Sequence, residues 1–177
     1  MKTRVLILLL LPLLYLMQSC DDPRNAHRYD NETTVDAMGL SFISNAEEAG
    51  HAEIAAAKVA VNNSKNQQVV DFAKMMVSDH TAAGDKLNAL KNCVLVSGQF
   101  AVNEEHQELI DTLAKLTGND FDKAYMKFMV LSHQEAASLF EEGSDNRNNR
   151  VQDFAKEIKP TVEKHLESAK NILASLK

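Results

Sequence analysis

The sequence is short of most residues that build small cross-linked or sheet-rich folds. It has two cysteines, six glycines, three prolines and no tryptophan in 177 residues. Two cysteines exclude a disulfide-stapled scaffold. No apolar run reaches the roughly twenty residues a membrane-spanning helix needs. Basic charge is also scarce: the formal net charge is -6, which excludes a nucleic-acid face and electrostatic docking on anionic lipid heads. There is no Gly-rich phosphate loop, nucleophile elbow or CxxC pair, so the common nucleotide, hydrolase and thiol-redox chemistries have no sequence basis.

The first segment has the parts of an export signal. Lys2 and Arg4 form a positive end, and Val5 to Met17 is apolar apart from Pro12. Leu16-Met17-Gln18-Ser19-Cys20 then gives way abruptly to Asp21-Asp22. This resembles a lipobox, although Gln18 is bulkier than the residue most lipoboxes carry there. The expectation is a signal peptide over 1–19, cleavage before Cys20 and lipid attachment to Cys20. Residues 20–34 contain almost nothing to bury and read as a flexible tether. Losing Lys2 and Arg4 would leave about 158 residues at a charge near -8, suited to one domain with a sizeable core. The expected location is the cell envelope, exported and held by lipid on the outer membrane or the periplasmic side of a membrane. With Cys20 acylated, Cys93 would stand alone as a small apolar residue.

From Val35 to Lys177 the apolar residues repeat with helical spacing and never with strand alternation. Long helices are expected over about 35–62, 66–92, 120–142 and 147–176. A short helix at about 103–117, ended by Gly118, lies in the long connection between the second and third. Ser64 is the expected cap of the second helix. Short loops within each pair and a long one between pairs predict an all-α, ferritin-like four-helix bundle. Lys74-Met75-Met76-Val77-Ser78-Asp79-His80 is echoed by Lys127-Phe128-Met129-Val130-Leu131-Ser132-His133.

Each long helix carries one strong ligand type on its buried seam: Glu53, His80, His133 and His165. At 1.5 Å per residue, Glu53 and His80 are offset by roughly 6 Å and His133 and His165 by roughly 12 Å. Glu53, His80 and His133 are thus expected to converge at mid-bundle, with His165 one or two turns away. Imidazole and carboxylate ligands with a vacant position would suit zinc, copper or iron. The competing reading is a hydrogen-bonded core network. Met76 and Met129, one turn before seam histidines, read as core filling rather than soft copper ligands. A di-iron centre needs Glu-x-x-His on two helices. Val77, Val130 and Val162 occupy the positions three before the seam histidines, while Glu48-Ala49-Gly50-His51 has the spacing but turns His51 outward. His27 in the tether and His106 in the connection read as exposed.

The runs Asp71-Phe72-Ala73 to His80, Glu105-His106-Gln107, Leu113 to Tyr125, Met129 to His133, Leu139-Phe140 and Pro160 to Leu166 together resemble a bacterial family, the domain of unknown function 4142. Its members are labelled outer-membrane proteins and grouped with ferritin-like folds. The resemblance spans about 36–175 and implies an envelope helical bundle, with His80, His106, His133 and His165 as motif positions. It implies no activity. The leading expectation is a non-enzymatic binding, scaffolding or stress-related module. The alternative is a metal-binding or metal-dependent redox protein using Glu53, His80 and His133.

Overall fold

The computed structural model describes residues 33–176. The expected signal peptide, Cys20 and most of the expected tether, including His27, lie outside the described residues. Five helices follow in order: α1 (Ala37–Asn63), α2 (Gln67–Cys93), α3 (Glu104–Leu113), α4 (Gly118–Gly143) and α5 (Asn149–Ser175). α1 packs along α2 and α4 along α5, and the two hairpins close through α1–α4 and α2–α5. The short α3 lies in the crossover against α1 and α4. This is the expected ferritin-like bundle with an extra helix between its pairs.

Local chemistry sets the helix starts. The side chains of Asp36, Asn66, Asn103 and Asn148 accept hydrogen bonds from backbone N–H groups in the first turns of α1, α2, α3 and α5. Each such cap contributes about 1 kcal/mol. Asn66, not Ser64, therefore caps α2. Ser64 instead donates to the buried Asp122 at 2.5 Å and accepts from the Asn66 N–H, fixing the α1–α2 turn to α4. Gly118 also departs from expectation. It opens α4 rather than closing α3, at φ +61°, a backbone state that costs glycine little. Gly143 is required for a different reason. A Cβ there would come within 2.5 Å of the Phe42 ring, so α4 meets α1 and α5 only because no side chain intervenes.

The interior is two apolar clusters. One holds Ala52, Ala56, Ala60, Phe72, Met76, Phe121, Tyr125 and Met129. The other holds Phe42, Ile43, Leu87, Leu90, Phe140, Phe154 and Ile158, with Phe42 edge-on to both Phe140 and Phe154. On α2, α4 and α5 the seam histidine lies between the helix's contributions to the two clusters, and on α1 Glu53 sits at the edge of the first, beside Ala52 and Ala56. Glu53, His80, His133 and His165 thus form a polar layer across mid-bundle. Met76 and Met129 are fully buried in the first cluster, as core filling requires.

The crossover is strapped to α1. Lys91 pairs with Glu47, both buried, and also donates to the Gly98 carbonyl at 2.7 Å beneath the Phe100 ring. Glu48 Oε1 accepts from the Asn103 N–H at 2.9 Å and from His106 Nδ1 at 2.7 Å. His51 is exposed, with Nδ1 3.1 Å from the Phe100 carbonyl oxygen. The Glu48-x-x-His51 spacing thus serves the crossover, and neither residue joins the polar layer. His106 is half-buried rather than exposed, its ring edge-on to Phe128. The expectation of an isolated Cys93 is also corrected: Cys93, the last residue of α2, is disulfide-bonded.

Candidate metal centre

The polar layer is built outward from Glu53, which is 2 % exposed. Its Oε2 lies 3.1 Å from His80 Nδ1 and its Oε1 lies 3.1 Å from His133 Nδ1. Ser132 donates its hydroxyl to the same Oε1 at 2.6 Å. Burial pushes the Glu53 pKa up, but His80 and His133, the Ser132 hydroxyl and His165 outweigh it, so it lies below its ordinary value. Glu53 is therefore a carboxylate at neutral pH, on three donors from α2 and α4.

Those contacts assign the protons on the rings. His133 Nδ1 faces two acceptors, Glu53 Oε1 and the Met129 carbonyl at 3.0 Å, so it carries the hydrogen. His80 Nδ1 carries one toward Glu53. On the opposite side, His165 Nε2 lies 3.0 Å from Asp79 Oδ2 and donates to it. The second nitrogens, His80 Nε2, His133 Nε2 and His165 Nδ1, are buried and have no hydrogen-bond partner. In a neutral ring each presents a lone pair.

His165 is not one or two turns away. Its ring centroid is 5.5 Å from that of His80 and 5.4 Å from that of His133. The expected offset ignored the tilt of Cα–Cβ bonds toward each helix's own N-terminus. In the antiparallel α4–α5 pair, that tilt carries the His133 side chain away from the connecting turn and the His165 side chain toward it. The two tilts add and close the gap. His80, His133 and His165 each offer a ring nitrogen, and these lie within 4.8 Å of one another. Three nitrogens at 2.0–2.1 Å from a tetrahedral ion would stand about 3.3 Å apart, so ring movements of roughly an ångström complete the site. Glu53 meets His80 and His133 through their Nδ1 atoms.

Burial favours the neutral imidazole at His133 and His165. It pushes His165 down to about 4, aided by His80 and His133 and opposed by Asp79. It also lowers His133, aided by His80 and opposed by Glu53 and the Met129 carbonyl. Neutral rings are the form a metal takes. Beneath the layer, Tyr125 is fully buried with its hydroxyl unpartnered, and burial, then Glu53, raises its pKa.

Asp79 and Ser132 were not singled out in the sequence. Each immediately precedes a seam histidine, in Asp79-His80 and Ser132-His133, the closing pairs of the internal echo. In both, the preceding residue bonds a member of the layer on another helix.

The sequence profile described as domain of unknown function (DUF4142) matches residues 25–172. The chain belongs to the DUF4142 family. Among solved structures, a DUF305 fragment from Deinococcus radiodurans superposes with a TM-score of 0.73 at 14% identity, covering 81% of the DUF4142 chain and 99% of the fragment. At that identity the likeness concerns the fold alone. No curated protein matches the sequence.

Proposed function

We propose that this DUF4142 protein is a metal-binding module. It holds one divalent transition-metal ion of the zinc–copper class on His80, His133 and His165, with Glu53 and Asp79 orienting the rings. The observation that carries this reading is the set of three buried ring nitrogens, one on each histidine, with no hydrogen-bond partner among the described residues. The opposite nitrogens are each committed to a carboxylate, the outer arrangement that metal-binding histidines ordinarily have. Imidazole-only ligation suits zinc and copper. The reading takes up the metal-binding alternative of the sequence, with His165 in place of Glu53 among the ligands.

Zinc titration calorimetry on chelator-treated protein tests it. One ion per chain is expected, and His80→Ala, His133→Ala and His165→Ala should each weaken binding by at least about 100-fold while the helical circular dichroism persists. Weak binding without stoichiometry, or affinities that ignore these substitutions, would mark the layer as a core network only.

We further propose that the protein is exported and anchored in the cell envelope through lipid on Cys20. The Leu16-to-Cys20 junction supports this. Intact mass of detergent-extracted protein decides. A chain beginning at acylated Cys20 supports the anchor, and a Cys20–Cys93 disulfide overturns it.

A further inference from the structure

Four observations converge on the space beside the polar layer. A cleft of about 230 Å³ opens between α1 and α2, and His80, His165 and Glu53 are among the residues at its floor. Most of its wall area is apolar, with Leu87, Leu139, Phe140 and Ile158 contributing, and the polar residues Glu47, Asp79, Asp85, Asn88 and Thr161 also line it. That is the ordinary make-up of a small-molecule site. Gly50 and Gly84 also line it, one from each flanking helix. Glycine inside a helix costs about 0.5–1 kcal/mol relative to alanine. Nothing local requires it here: neither residue has a positive φ, and a Cβ at either would meet nothing within 4 Å. Gly143, where a Cβ would strike Phe42, shows what a packing-required glycine looks like in this fold. Gly50 and Gly84 keep space open instead. Finally, a three-histidine ion has a fourth position left for an outside ligand.

We propose that this cleft binds a small, mainly apolar molecule bearing one nitrogen or oxygen donor, which takes the fourth position of the ion held by His80, His133 and His165. The proposal rests on the metal reading, and its test separates the two. Protein loaded with Co(II) is titrated with imidazole and with 4-phenylimidazole while the visible spectrum of the ion is followed. The phenyl ring should lie along the Leu87, Leu139 and Phe140 walls, so 4-phenylimidazole should bind at least about tenfold more tightly than imidazole. In the double variant Gly50→Leu, Gly84→Leu, Co(II) uptake should be unchanged and that preference lost, since the new side chains fill the cleft and favour helix. Equal affinity for the two probes in the wild type, or a preference that survives the double variant, overturns the cleft and leaves the metal reading standing. Failure of the wild type to take up Co(II) overturns both.

Discussion

Two buried glutamates lie less than two turns apart on α1 and meet opposite fates. Glu47 is paired with Lys91, whose ammonium also bonds the Gly98 carbonyl, so charge and hydrogen bonds are closed within the protein. Glu53 has His80, His133 and Ser132 as partners and no Lys or Arg among the described residues, and beyond its two histidines lie ring nitrogens with no partner. The Glu47 cluster fastens a crossover. The Glu53 cluster leaves three buried ring nitrogens without a hydrogen-bond partner. Burial and polarity are common to both, and what separates them is whether the cluster satisfies itself.

The contrast breaks most visibly at Lys91. Lys91→Ala leaves Glu47 buried without its cation and should cost about 3–5 kcal/mol in urea unfolding. It should leave zinc affinity unchanged, because Glu47 does not touch the layer. Zinc should stabilise the wild type by about 2.7 kcal/mol when free ion exceeds the dissociation constant a hundredfold, and should raise the melting temperature of Lys91→Ala by a similar energy. Glu53→Gln reverses the pattern. It should weaken zinc about 10–100-fold, the usual effect of losing an orienting partner, measured by competition with a chelator.

The pH dependence sharpens the same point. His165 titrates near 4 in the folded protein, below its ordinary value of 6.5, so the unfolded chain binds the extra proton between those values. Metal-free stability is therefore fully present above about pH 6.5 and is lost as pH falls toward 4. The slope is at most about 1.4 kcal/mol per pH unit for each proton taken up. Glu53, also lowered, adds to the loss below its ordinary 4.5. Denaturant midpoints from pH 7.5 to 4 check this, and His165→Asn should flatten the profile. The smallest effect is expected at Glu48→Gln. His106 and Glu48 are both partly solvated, so weakening their pair should cost no more than about 1 kcal/mol.

The bundle was legible because helical periodicity repeats over many residues, and the four seam positions share it. Heights across a bundle were less legible. Counting residues from a turn placed Glu53, His80 and His133 together but put His165 too far away, since side-chain tilt is invisible to a count along the axis. The straps of the crossover had no local signal. Lys91 and His106 reach α1 across intervals with no common period, so His106 read as exposed. Asp79 was hidden by its position beside His80, about 100° round the helix and off the seam, where it meets α5 rather than the core.

In the proposed site three histidines, and not Glu53 or a methionine, hold the ion. X-ray absorption on the zinc-loaded protein addresses this directly. Three imidazole nitrogens at 2.0–2.1 Å with one further light ligand, retained in Glu53→Gln and lost in His133→Ala, is the expected result. A sulfur ligand near 2.3 Å, or a shell that loses an oxygen in Glu53→Gln, would contradict it.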